Sequence, residues 1–444
     1  MLHRSHKTWL MSLTVIVGSA VAIAGCTPTP PNGGDPENAD LTYWYWAESD
    51  VPGANDWMKE RVAEYEILHS GVTIELVPQS SDTLIGSFEA AAQTKSGPDI
   101  ATLWATMPVL TQAWAGAIVP INDYVSKDKM STWIGAQENT DKGNVWGVPL
   151  YVMGIPLAYN KDLFGQAGIA EPPATFDDLL SACSALKDIG VTPIGMGNKD
   201  GYFGAWFFSN FGKQNLDSTD EFQNAIIGNA DIADPKYTGY LDAMYQLASN
   251  NCLNDDISSL TTQEGFQVFA QGEAAMAWGP DGVVSSWAET LGEDTVGVVR
   301  TPKWGSGELA DVHNTTQSSS AIITSWSKNP QAAAQFLTWL HEPANLASWY
   351  DATGVFPADT KFDSASIDSD LARTLWELNS SPGGVWLQNY VPPAIDADGN
   401  LAAGQVITSG GSVADAVGVF EAAAEKWRQS NPADFESYSV WTGN

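Results

Sequence analysis

An α/β fold divided between two domains is what this sequence predicts, and two observations carry the prediction. Strand-type and helix-type patterns alternate through most of the body, the signature of sheets flanked by helices. The 444 residues are more than one hydrophobic core usually serves, so two cores are expected. Hydrophobic residues make up 44% and are spread throughout, as in a globular chain.

The elements follow in order. Leu41 to Trp46 (LTYWYW) is rich in strand formers. Asn55 can cap a helix in which Met58, Val62 and Tyr65 share a face, and Gly71 closes it. Val72 to Val77 alternates as a second strand, Leu84 to Lys95 reads as helix, and Gly97-Pro98 leads into a short strand, Asp99 to Leu103. That strand–helix–strand–helix–strand order implies parallel pairing with crossover helices. After Tyr151 a second unit begins. Thr175 and Asp178 fit a capping box ahead of a helix with apolar Leu179, Leu180, Cys183 and Leu186, ended by Gly190. Val191 to Met196 is the next strand, and Tyr237, Tyr240, Leu241, Met244 and Leu247 give an amphipathic helix. A final helix, Val413 to Arg428, carries Val417, Phe420, Ala424 and Trp427 on one side. No long internal repeat interrupts this order.

Composition excludes some roles. The formal net charge of −33, from 53 acidic against 20 basic side chains, repels phosphate backbones and anionic lipid, so no nucleic-acid partner is expected. The simplest meaning of the excess is solubility of an exposed surface. No metal and no cofactor is expected. His69, His313 and His341 lack ligand spacing. Asp396-Ala397-Asp398-Gly399-Asn400 begins like a calcium loop, but Leu401 and Ile407 stand where that loop needs Gly and Glu, so it reads as a polar turn. Neither a Gly-x-Ser-x-Gly elbow nor a Gly-x-x-x-x-Gly-Lys-Ser/Thr loop occurs, and no enzyme is expected.

The N-terminus reads as a targeting segment. Arg4 and Lys7 precede an apolar run, Trp9 to Ala24, and then Ile23-Ala24-Gly25-Cys26. That string resembles the lipobox of bacterial lipoproteins, which makes residues 1–25 a lipoprotein signal peptide and Cys26 the lipid attachment point. An uncleaved membrane helix is the alternative, against which the run is short. Residues 26–40, rich in Pro, Gly and Asn, read as a disordered tether. Outside the cell Cys183 and Cys252 could pair; Cys183, on an apolar helical face, suits a buried free thiol equally well.

Several segments carry a further resemblance. SGPDIATLWA (Ser96 to Ala105), VWGVPLYVMGIPLAYNKDLF (Val145 to Phe164), PPATFDDLLSACSALKDIGVTPIGMG and FAQGEAAMAWGPDG (Phe269 to Gly282) are similar, in order, to motifs of the family 1 extracellular solute-binding proteins of carbohydrate ABC importers, the maltodextrin-binding type. Phe176 replaces that family's usual Trp. The resemblance implies a two-lobe, periplasmic-binding-protein-like fold of type II, with hinge crossings and a ligand between lobes. It sets lobe one at 41–152 plus 282–325 and lobe two at 153–281 plus 326–444. It further implies a monomer on the outer face of the cell membrane that hands an intact di- or oligosaccharide to permease subunits.

Holding a sugar without reacting takes flat aromatic faces against its C–H groups and polar side chains for its hydroxyls. The chain has 19 Trp, many in predicted loops after strands, where a parallel sheet opens its crevice. Trp104 follows the Gly-Pro-Asp strand as the family's stacking residue does; otherwise it is core. Trp46, Glu48 and Asp50 leave the first strand at its C-terminal end and are expected to stack and to accept hydroxyls, unless that loop is merely solvated. Tyr151 lies beside the hinge and either stacks or only packs. Tyr202 and Trp206 match the family's aromatic pair after a lobe-two strand. Trp386 resembles its second-lobe platform, with Gln388 nearby. Asp281 falls where relatives often carry Trp after Gly-Pro, exchanging a stacking face for a hydroxyl acceptor. Trp278 is expected to be buried. Three other classes compete. A non-sugar solute that is anionic would call for Arg or Lys in the crevice. A secreted glycoside hydrolase would need two carboxyl groups at a fixed separation. A polysaccharide adhesin would not close on its ligand.

Overall fold

The computed structural model describes residues 35–46, 51–380 and 384–443. The signal peptide, Cys26, most of the tether, Glu48 and Asp50 lie outside the described residues.

Two sheets organise the chain. The first is built from β1 (Ala39–Trp46), β2 (Val72–Gln79), β3 (Ile100–Trp104), β6 (Val148–Gly154) and β11 (Thr315–Ile323), in the order β2-β1-β3-β11-β6. β1 runs parallel to β2 and β3, as the alternation predicts, and β11 runs antiparallel to β3 and β6. The second is built from β7 (Leu157–Asn160), β8 (Thr192–Ile194), β9 (Ala274–Trp278) and β10 (Val296–Val299), in the order β10-β7-β9-β8. A small hairpin pairs β4 (Thr140–Asp141) with β5 (Asn144–Val145).

Helices cover the faces where apolar side chains recur. Met58, Val62 and Tyr65 of helix Ala54–Leu68 are buried as predicted. Asn55, however, lies inside that helix; Gly53 at φ 87 stands at its N-cap, and Asn55 Oδ1 accepts the Tyr45 hydroxyl. Gly can take that left-handed conformation without a Cβ clash. The capping box at Thr175 and Asp178 is present. Cys183, on that helix, is disulfide-bonded to Cys252, with Cα atoms 5.4 Å apart. The helix expected from Tyr237 is two, Pro235–Thr238 and Tyr240–Ser249. The acidic segment expected to be a turn is instead a π-helix, Asp396–Leu401, continuing into helix Ala402–Thr408.

The two lobes are built on these sheets, and their membership differs from the sequence division. β10 hydrogen-bonds to β7 of the second sheet, and Trp287 of helix Asp281–Leu291 packs on Phe266 and Phe269. Residues 282–299 therefore belong with lobe two. Conversely, helices Pro330–Trp339 and Pro343–Thr353 cover the first lobe, Phe336 against Tyr43 and Trp349 against Trp57. The reason is general: an apolar strand such as Val296–Val299 encodes a buried strand but not which sheet edge it joins. The chain passes between the sheets from β6 to β7, from β10 to β11, and again beyond helix Asp370–Asn379. Helix Pro432–Trp441 returns to lobe one, where Trp441 meets Trp114.

Candidate functional site: an aromatic cleft between the sheets

A cleft of about 600 Å³ opens between the lobes. Parallel strands end on it, the place where such sheets leave room for a ligand. From the first lobe come Trp46 at the end of β1, Trp104 at the end of β3, Met153 on β6 and Thr316 on β11. Beyond Trp104, Thr106 takes φ 64 and is fully buried, its N–H donating to Asn139 Oδ1 at 2.6 Å. A β-branched residue in that region stores about 1–3 kcal/mol of strain. The kink turns the chain sharply from β3 into helix Met107–Trp114 and leaves Trp104 half-buried at the lip.

The second lobe supplies Tyr202 and Trp206 from helix Tyr202–Phe211, together with Asp200, Thr262, Trp386, Gln388 and Asp396. Trp206 lies parallel to Phe266, 11° between planes and 5.9 Å between centroids, so its ring is held flat from behind. The Trp386 indole N–H donates to Gln388 Oε1 at 3.3 Å. The Gln388 amide in turn donates to Asp396 Oδ2 at 2.9 Å, and Asn400 donates to Asp396 Oδ1 at 2.8 Å. Burial pushes the Asp396 carboxyl up to about 6, against the opposing pull of those two donors. Asp200 takes the N–H and the hydroxyl of Thr262 at 2.9 and 2.7 Å, which ties the start of helix Thr262–Ala270 to the rim. Asn389 reaches Thr316 Oγ1 at 3.3 Å and so links the late loop to β11.

Of the residues singled out in the sequence, Trp46, Trp104, Tyr202, Trp206, Trp386 and Gln388 converge on this cleft. Two others lie elsewhere. Tyr151 stacks on Trp349 (5.3 Å, 19°), its hydroxyl 3.2 Å from Ser319 Oγ. The segment around Phe356 and Pro357 covers that edge of β6 and keeps the ring inside lobe one. Asp281 is fully buried, accepting from the Gly154 N–H at 2.8 Å and from Asn379 Nδ2 at 2.6 Å. It begins a helix pointing inward, so it is a strut rather than a hydroxyl acceptor. Sequence reasoning missed Asp200, Thr262, Asn389 and Asp396 in the cleft. Asp200 follows a lobe-two strand two residues before Tyr202, a signal that was there to use. Asp396 gave none, because only the π-helix aims it inward.

The family description for bacterial extracellular solute-binding proteins matches residues 60–374. The sn-glycerol-3-phosphate-binding periplasmic protein of Rhizobium meliloti is 26% identical over 53% of this chain and 56% of its own length. The melibiose/raffinose/stachyose-binding protein of Bacillus subtilis is 20% identical over 78% and 80%. Among solved structures, a chitin oligosaccharide binding protein superposes with a TM-score of 0.80 at 19% identity, covering 88% of this chain and 99% of that one. With a match across most of the folded body, and a two-lobed fold open on a cleft, the chain belongs to the bacterial extracellular solute-binding proteins.

Proposed function

We propose that this protein captures an uncharged di- or oligosaccharide between its lobes and passes it intact to the permease of an ABC importer. One observation carries the choice of ligand: among the described residues, five aromatic rings and two carboxylates line the cleft, and no Lys, Arg or His does. Indole and phenol rings match the C–H faces of sugar rings, and carboxylates and amides match hydroxyls. A phosphorylated ligand such as the one named for the Rhizobium relative would meet no countercharge there. Trp46, Trp104, Tyr202, Trp206 and Trp386 are the stacking faces in this reading, and Gln388, Asp200 and Asp396 the hydroxyl partners. Glu48 and Asp50, beside Trp46 in the sequence, extend the acceptor set. The protein acts as a monomer, without catalysis, tethered outside the cell through a lipid on Cys26; the Ile-Ala-Gly-Cys string supports the anchor.

The test is a thermal-shift and tryptophan-fluorescence screen against neutral sugars, followed by Trp104→Ala. A ligand at a hundred times its Kd stabilises the native state by about 2.7 kcal/mol, a readily measured rise. The variant is expected to lose at least tenfold in affinity. A panel in which glycerol phosphate responds and no neutral sugar does would refute the ligand class. Shortened oligosaccharides after incubation would refute the absence of catalysis.

A further inference from the structure

A second cavity, of about 310 Å³, is lined in part by the crossing that leads into β11 and shares no lining residue with the cleft. Its chemistry is the reverse of the cleft's. Only 20 Lys and Arg occur in the whole sequence, yet Lys213, Arg300 and Lys303 all line this one space, against a single carboxylate, Asp311. Lys303 Nζ holds Asp311 Oδ2 at 2.7 Å, and Arg300 donates to the Asp311 carbonyl at 2.6 Å, so these groups form a braced rim.

The floor is built from buried polar groups that lack partners. Lys213 is 2% exposed, and among the described residues no acceptor or carboxylate reaches its ammonium. Asn210, His313 and Asn314 are as deeply buried. Asn210 Nδ2, His313 Nε2 and both amide atoms of Asn314 have no hydrogen-bond partner. Leaving such groups unpaired costs about 1–3 kcal/mol each, and an unpaired ammonium costs more. Burial, then the Arg300 charge, hold the Lys213 ammonium down at about 7, and burial with the same two cations keeps His313 neutral. The wall itself is rigid. The Gln214 side chain donates to the Asn210 and Pro302 carbonyls and accepts from the N–H groups of Trp304 and Gly305, so the cavity does not depend on a ligand to form.

We propose that this cavity is a binding site for a small oxyanion-bearing molecule, a carboxylate or a phosphate, with Lys213 as its counter-charge and the Asn210 and Asn314 amides as its hydrogen-bond partners. A neutral ligand would leave the ammonium uncompensated, and a metal cation would be repelled by it. An anion satisfies the lysine and the amide donors together. His313 and Asn314 immediately precede β11, on a crossing between the lobes, so an occupant touches the hinge.

The experiment uses the whole chain with sodium phosphate and sodium acetate as probes, each against sodium chloride at matched ionic strength. Melting temperature is expected to rise saturably with one or both anions, at a half-saturating concentration at least tenfold below any chloride effect. The anion that acts identifies the ligand class. Lys213→Met is expected to abolish the saturable response, and Asn314→Ala to weaken it at least tenfold should the lysine variant not fold. Trp104→Ala is expected to keep the full response, which separates this site from the sugar reading. Lysine ε-carbon NMR gives a direct readout: the Lys213 pKa is expected to rise by at least one unit on saturation. The charged and titratable groups around it are Arg300, Lys303, Asp311 and His313, and none of these is altered in the comparison. A wild-type response no stronger than chloride's, or a Lys213→Met response equal to wild type, overturns the proposal.

Discussion

Replacing Asp281 with asparagine isolates a single buried carboxyl and the pH dependence it imposes. Asp281 is fully buried beneath the link between β6 and β7, where one oxygen accepts from Gly154 and Asn379 and Oδ1 has no partner. Burial pushes its pKa up to about 7, outweighing those two bonds. In the unfolded chain the same group titrates near the ordinary aspartate value, so the native state binds the proton more tightly. The stabilisation from that proton is complete below the unfolded pKa and is lost as pH rises through about 7. A shift of roughly three units at about 1.4 kcal/mol each gives about 4 kcal/mol over that interval. The amide introduced by Asp281→Asn would keep an oxygen for the two donors and could not ionise. Its extra N–H adds a cost of about 1 kcal/mol that is the same at every pH. Urea unfolding at pH 5, 6.5 and 8, followed by circular dichroism, measures the difference between the two proteins. That difference cancels the repulsion among surface carboxylates, which both share. About two of those three units lie above pH 5, so the variant is expected to gain on wild type by about 2.5 kcal/mol between pH 5 and pH 8. Curves that stay parallel within about 1 kcal/mol would refute the reasoning, because the carboxyl would then ionise as freely inside the fold as outside it.

The other two predictions concern the cleft and the disulfide. Asp396 becomes a carboxylate as pH rises through about 6, and a charged acceptor strengthens a hydroxyl hydrogen bond to about 1.5–3 kcal/mol. Sugar affinity by calorimetry is therefore expected to rise about tenfold from pH 5 to pH 7.5 in wild type and to stay flat in Asp396→Asn; a flat wild-type profile removes Asp396 from the hydroxyl partners. The Cys183–Cys252 bond closes a loop with a sequence separation of 69, worth about 4 kcal/mol of unfolded-chain entropy. The Cys183→Ala, Cys252→Ala double variant should unfold at a correspondingly lower urea concentration, and an unchanged midpoint would show that the two thiols are free in solution.

What the sequence disclosed and what it withheld divide along a physical line. Trp46 and Trp104 could be read because each ends a strand, and the end of a parallel strand has no further sheet to hide a ring against. Tyr202 and Trp206 follow the same logic, since they open a helix just beyond a strand. Asp281 also begins a helix after a strand, yet it turns inward, because the residues that receive it, Gly154 and Asn379, are 127 and 98 positions away. No local window contains them. The same distance hid the lobe membership of β10, whose partner strand is far back in the chain. Asp396 was hidden differently: its register in a π-helix, rather than in a turn, sets where its carboxylate points, and five polar and small residues followed by one leucine carry no periodicity to reveal it. Lys213 was the least legible of all, one lysine in a Phe-Gly-Lys-Gln-Asn string, and its meaning exists only once Asn210, His313 and Asn314 close around it. Residues that act through an exposed face announce themselves by position in their own element. Residues that act through a buried partner are defined by the other side of the contact, and for those the three-dimensional arrangement is the first place the chemistry can be read.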